Sequence, residues 1–194
     1  MSQKFEDVRI VDNFYQTSSF FPMPVMLVST LNESGTTNLG PYSLCFPYLV
    51  VPGGDNHAMV LIARSDSNTA QNITRTKVCS LNFIPDKKKY MKNCVLLGFP
   101  GETTEEKMKN SIFTLRPSMR TGSPPEGLSK FPDIVEEAFQ VFECTWDDRH
   151  PLQPIPASQS SHMVLAIDKI IMKKKWKDCL FKGKGLSLIH ISEP

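Results

Sequence analysis

The sequence predicts a mainly-β protein, a small antiparallel barrel with short inserted helices. Three observations carry this. Short β-branched and apolar runs recur between turn signals. The segments with helical polarity are few and short. Fifteen prolines outnumber ten glycines, which suits many short elements joined by loops and disfavours a helix bundle. At 194 residues the chain is one domain, long enough to bury a core without cross-links.

Pro24 to Leu31 (PVMLVSTL) is β-branched and apolar and reads as the first strand. Asn32-Glu33-Ser34-Gly35 is a hairpin signal, and Thr36 to Cys45 reads as the return strand. A break or bulge is expected in it at Gly40-Pro41. Phe46 to Val51 is apolar, and Pro52 to Asn56 is a loop. His57 to Ala63 and Val78 to Ile84 read as buried strands. Phe139 to Trp146 alternates with period two, as a half-buried strand does, and His162 to Met172 is the last clear one. The total is six to seven strands.

Ser67 to Lys77 has capping residues ahead of Ala70 and Ile73 and a basic end at Arg75 and Lys77, the polarity of a short helix. Tyr90 to Leu97 reads as a second helix. Thr103 to Phe113 has acids before bases and reads as a third, with an imperfect capping box because Lys107 follows Thr104 by three. Asp133 to Ala138, after Pro132, reads as a short helix leading into a strand. Arg116 to Pro132 and Pro151 to Ser161 are long connectors rich in Pro, Gly and Ser. Lys173 to Lys177 reads as a solvated, basic strand end.

Composition narrows function. Twenty-two Lys+Arg against 20 Asp+Glu give a formal charge of +2, without the concentrated cationic face that nucleic-acid binding needs. No run reaches the roughly 20 apolar residues of a membrane span. The first residues, MSQKFEDVRIVDNFY, lack the apolar core of a signal peptide. The five cysteines are odd in number, widely spaced and without a CxxC, which predicts reduced, mostly buried thiols in a cytoplasmic protein. Leu186 to Pro194 resembles the translation of a transposon-end adapter used in sequencing libraries. The expected domain is therefore 1–185, truncated at its C-terminus, with 186–194 not native.

Most catalytic signatures are missing. There is no GxSxG elbow, no GxGxxG and no GxxxxGK[ST]. His57, His150, His162 and His190 lack metal-ligand spacing, and no metal is expected. Asp147-Asp148-Arg149-His150 reads as a polar turn, and no catalytic acid or base is assigned. What remains is Arg64-Ser65-Asp66-Ser67-Asn68-Thr69, where a strand meets a helix. Free N–H groups and the dipole at a helix N-terminus favour an anion. Arg64 supplies a forked cation, and Ser65 and Thr69 supply hydroxyls. On spacing alone these residues read first as helix caps, and Asp66 is an awkward neighbour for an anion.

Pro24-Val25-Met26-Leu27-Val28-Ser29-Thr30, then Gly35, Asn38, Pro41-Tyr42-Ser43, Arg64, Thr69 and Asn72-Ile73 resemble the flavin reductase-like family, the FMN-binding split barrels that include flavoredoxin-like proteins. Phe142-Glu143-Cys144 resembles a late strand of that family. His162 matches the start of its Gly-Asp-His strand, with Ser160-Ser161 replacing Gly-Asp. The resemblance spans roughly Phe20 to Met172 and implies a six- to seven-stranded antiparallel split barrel that binds FMN.

It further implies cofactor contacts. Ser29, Thr30 and Asn38 would lie along the isoalloxazine and ribityl chain. Tyr42, Ser43 and Leu44 would follow with their backbone, and Arg64, Ser65, Thr69 and Asn72 would hold the phosphate. His162 matches a position on the nicotinamide side; on its own terms it reads equally as a structural strand-start histidine. The implied activity is hydride transfer from NAD(P)H to flavin, in a homodimer, with a small-molecule electron acceptor or free flavin as partner. The alternatives are an FMN electron carrier or sensor without NAD(P)H turnover, and a small β-barrel that binds another ligand or a protein.

Overall fold

The computed structural model describes residues 24–50, 57–99, 101, 103–149 and 159–181. The loop at Pro52–Asn56, residues 150–158 of the second connector and its flank, and the 186–194 tail lie outside the described residues. The strands are β1 Met26–Leu31, β2 Thr37–Tyr42, β3 Cys45–Val50, β4 His57–Arg64, β5 Val78–Phe83, β6 Leu115–Arg116, β7 Ile134–Val135, β8 Gln140–Trp146 and β9 Ser160–Met172. The helices are α1 Asn68–Thr76, α2 Lys88–Leu97, α3 Thr104–Lys109 and α4 Lys174–Phe181.

Seven strands form one antiparallel, curled sheet in the order β2-β1-β5-β8-β9-β4-β3, and β6 pairs with β7 apart from it. Because side chains alternate along a strand, the sheet separates two buried clusters. Met26, Val28, Leu61, Leu81, Cys144 and Leu165 face the lumen, closed by Ala70 and Ile73 of α1. Leu27, Leu39 and Val141 face outward, covered by Tyr90, Cys94 and Leu97 of α2 and by Phe113, Ile134 and Val135. Every residue of β1 is buried, so its polar side chains must be paired within the protein. Asn82 pairs Ser29: its Nδ2 donates to Ser29 Oγ at 2.8 Å and to the Leu27 carbonyl at 2.9 Å. Its Oδ1 accepts from the Val135 N–H at 2.9 Å.

Several elements depart from the sequence expectation, each for a visible reason. β2 runs through Gly40-Pro41 without a break, with Val28 opposite Gly40 and Leu27 opposite Pro41. It is an edge strand, where a proline costs no ladder bond. Residues 133–138 are not a helix. Their N–H groups go elsewhere: Asp133 to Thr37 Oγ1, Val135 to Asn82 Oδ1 and Glu136 to the Thr114 carbonyl. The helix expected over 103–113 is confined to α3, and its capping box is complete one residue earlier. Thr103 Oγ1 accepts from the Glu106 N–H at 3.2 Å, and Glu106 accepts from the Thr103 N–H at 2.9 Å. The basic run is not a strand end but the start of α4, whose Trp176 ring packs 5.1 Å from that of Phe139.

The long 116–132 connector is held down by charge. Buried Glu143 accepts from Ser118 Oγ at 2.5 Å and from the Met119 N–H at 3.0 Å. Arg120 pairs with Asp168 at 2.8 Å and lies 4.8 Å from the Phe131 ring centre. Cys45, Cys79, Cys94 and Cys144 are free and buried, as the cysteine pattern predicts.

Two predictions follow from this packing. Asn82→Ala strands the Val135 N–H in the interior. It is expected to cost roughly 2–4 kcal/mol, read as a lower urea midpoint at unchanged slope. Burial pushes the Cys45 thiol up to about 12 and that of Cys94 up to about 11, from 9.0. Above pH 9 the unfolded state therefore loses these protons first. The stability contribution is whole below pH 9 and falls as pH rises through 11 and 12, by up to about 1.4 kcal/mol per pH unit per thiol. Chemical denaturation from pH 8 to 11 measures that decline, and Cys45→Ser should flatten it.

Candidate functional site

β4 ends at Arg64 and the chain turns into α1. The turn is closed by Ser67, whose N–H and Oγ both donate to the Arg64 carbonyl, at 3.0 and 2.7 Å. Ser67 is also the N-cap of α1, its Oγ accepting from the Ala70 N–H at 3.2 Å. Tyr42 Oη donates to the same Oγ at 3.2 Å, which ties the end of β2 to the start of α1. The result is an open cleft of about 790 Å³, a size typical of small-molecule sites. Gly40, Pro41 and Tyr42 form one wall, Arg64 to Thr69 line another except for Ser65, and Gly98, Gly101, Thr103 and Lys107 complete it.

Gly40 explains why the walls meet. A Cβ there would stand 2.6 Å from Thr69 Oγ1 and 2.9 Å from the Tyr42 ring. Glycine thus lets α1 lie directly on β2.

The predicted residues separate into two groups. Tyr42, Arg64 and Thr69 line the cleft, Thr69 from a buried position at its floor. Ser29, Thr30, Asn38 and Asn72 are buried and bonded within the protein. Asn72 Nδ2 donates to Thr30 Oγ1 at 3.1 Å, and Thr104 Oγ1 donates to Asn38 Oδ1 at 3.3 Å. Ser29, bonded to Asn82, is on the outward face of the sheet. Ser65 turns toward β9: its N–H donates to the Gln159 carbonyl at 2.8 Å and its Oγ meets Ser161 Oγ at 2.9 Å. Ser43 and Leu44 join β2 to β3, and the Leu44 carbonyl accepts from the Ile62 N–H. His162 is paired with Ile62, two residues along β4 from Arg64 and in step with its face of the sheet. Its Nδ1 is buried and has no hydrogen-bond partner among the described residues.

Lys107, Thr103, Gly98 and Gly101 are site residues that sequence reasoning missed. Lys107 brings a second cation from α3, some forty residues beyond Arg64. The acid-then-base order of that helix is the only local signal, and it points to a helix end rather than a cleft. Asp66 also lines the cleft and is paired with Arg64. This hydrogen-bonded pair raises the Arg64 pKa and holds the Asp66 carboxyl below the usual carboxylate range. A smaller hollow of about 340 Å³ lies under the 116–132 connector, where Arg120 is already paired with Asp168.

No family model matches the sequence, and no curated protein matches it significantly. Solved structures do match the fold. Nitrilotriacetate monooxygenase component B from Bacillus cereus aligns with TM-score 0.65 at 14% identity, over 90% of this chain and 84% of that one. Flavoredoxin from Methanosarcina acetivorans aligns with TM-score 0.63 at 19% identity, over 89% and 78%. Flavoredoxin of Desulfovibrio vulgaris (Miyazaki F) aligns with TM-score 0.62 at 14% identity, over 90% and 78%. The fold is the flavin reductase-like split barrel.

Gly40→Ala should overpack the contact between α1 and β2. A loss of about 1–3 kcal/mol is expected by thermal or urea unfolding. An unchanged melting temperature would show that Thr69 and Tyr42 move aside freely.

Proposed function

We propose that this protein is an FMN-binding oxidoreductase that transfers a hydride from NAD(P)H to flavin, acting as a cytoplasmic homodimer. The observation that carries the reading is the convergence of Arg64, Lys107, Thr69 and the N-terminus of α1 on one cleft of a split barrel. That donor set fits a phosphate monoester: two cations, a hydroxyl and helix N–H groups. The structural neighbours named flavoredoxin support the flavin.

In this reading the chain binds and orients. Arg64 and Lys107 bring positive charge to the phosphate, and the Thr69 hydroxyl donates to it. Tyr42, held by Ser67, sets the wall along which the rest of the cofactor lies, with Ser43 following. Ser29, Thr30, Asn38 and Asn72 act from behind, fixing β1, β2 and α1 so that the cleft keeps its shape. Ser65 steadies the turn against β9. His162, in step with Arg64, is the nicotinamide-side candidate. A bound flavin supplies the hydride chemistry at its N5, so no acid–base pair of the protein is required. For the homodimer, β2 and β3 are the edge strands of the sheet among the described residues, and Phe46 and Tyr48 of β3 are 36% and 47% exposed. The flavoredoxin neighbours favour a second reading, an FMN electron carrier that does not oxidise NAD(P)H.

Titration of FMN into the protein, followed by flavin absorbance and fluorescence, tests the reading. Arg64→Ala and Thr69→Ala are each expected to weaken FMN about tenfold or more while changing riboflavin little, because only FMN carries the phosphate. Equal losses for both ligands would remove the phosphate assignment. Oxidation of NADH or NADPH by the FMN-loaded protein separates a reductase from a carrier. A folded protein that binds no flavin is a barrel for another ligand.

A further inference from the structure

The cation that the cleft offers to a phosphate is already engaged. Arg64 Nε donates to Asp66 Oδ1 at 3.0 Å, and its Nη2 donates to Oδ2 at 2.5 Å. This is a bidentate pair on one edge of the guanidinium, the geometry in which arginine also grips a phosphate. The two residues are only two positions apart, and the bonds of Ser67 and Ser65 hold the turn between them. Asp66 is therefore a permanent neighbour of the Arg64 edge and lines the same cleft.

Charge and exposure decide what the pair does. Asp66 brings a negative charge to the cleft against the guanidinium of Arg64, in the place a phosphate oxygen would take. The Arg64 and Asp66 side chains are 59% and 65% exposed, so solvent and salt screen the pair and it opens readily. Asp66 is charged at neutral pH, and its pairing with Arg64 holds the carboxyl below the usual range. An incoming phosphate thus finds Arg64 reachable, but only by exchange with a carboxylate that stays beside it.

We propose that Asp66 sets the affinity of the cleft by competing with the ligand phosphate for the Arg64 guanidinium, so that flavin is held as an exchangeable ligand and not as a resident prosthetic group. This rests on the flavin reading of the site. It adds a specificity element: the carboxylate penalises phosphate-bearing ligands and leaves their phosphate-free counterparts alone.

The test is Asp66→Asn, which keeps the size and turn chemistry of the side chain and removes its charge. The full chain and the variant are titrated with FMN and with riboflavin. Separately, inorganic phosphate is added and the shift in melting temperature is read. Expected is FMN binding about five- to tenfold tighter in the variant, riboflavin unchanged, slower FMN release, and a larger phosphate-induced shift than in the wild type. FMN affinity that stays the same or falls overturns the proposal while leaving the flavin reading intact. Equal tightening of FMN and riboflavin also overturns it, because the effect then lies away from the phosphate. If neither protein binds flavin, the flavin reading fails, and the phosphate shift alone decides. A larger shift in the variant supports the competition, and equal shifts end it.

Discussion

A strand buried on both faces that carries hydroxyls must find partners for them on each side, and β1 does so with two asparagines. Thr30, in step with the lumen-facing residues, accepts from Asn72 of α1. Ser29 faces outward and accepts from Asn82 of β5. Leaving either hydroxyl unpaired in the interior would cost a substantial part of the net stability of a domain this size. These two bonds also locate everything around the strand. Asn72 fixes α1 across the lumen, and Asn82 reaches on to the Val135 N–H and draws β7 against the outer face. The amides thus couple the barrel to its capping helix and to its outer cover.

The cleft is a consequence of that placement. With α1 held over β1 by Asn72, its first turn lies beside β2, close enough that only glycine fits at position 40. Ser67 then serves three partners with one hydroxyl: it accepts from Ala70 and Tyr42 and donates to the Arg64 carbonyl. The same turn therefore caps the helix, anchors Tyr42 and aims Arg64. Buried and bonded residues supply rigidity, and exposed charges at the mouth supply the electrostatics. This division places Ser29, Thr30, Asn38 and Asn72 behind the site and Arg64, Lys107 and Asp66 at its surface.

Where sequence reasoning departed from the structure, the cause was a long-range partner. Asp133 to Ala138 has a plausible helical start, but its N–H groups bond to Thr37, Asn82 and Thr114, residues far away in the chain. The lysine run at 173–177 reads as a strand end until Trp176 is seen against Phe139. Gly40-Pro41 reads as a break because a lone glycine and proline weaken a strand, yet the edge position and the approach of Thr69 make both residues suitable. The capping box was misread by one residue, from Thr104 to Thr103, a shift within the usual uncertainty of helix boundaries. Lys107 escaped because a lysine within a short helix looks like any solvated charge.

The sequence by itself determined most strands of the main sheet, the free and buried state of Cys45, Cys79, Cys94 and Cys144, and the strand-to-helix junction at Arg64–Thr69. Those features depend on alternation, β-branching and capping, which act between residues close in the chain. Only the tertiary structure decided which polar residues line the cleft and which face each other. Ser29 and Thr30 carry the same hydroxyl as Ser67, but sheet order and the seat of α1 turn the first two inward. Exposure is a property of what packs on top of a residue, and local sequence does not contain it. For the same reason the meeting of Arg64 with Lys107 across the cleft could be found only once the chain was folded.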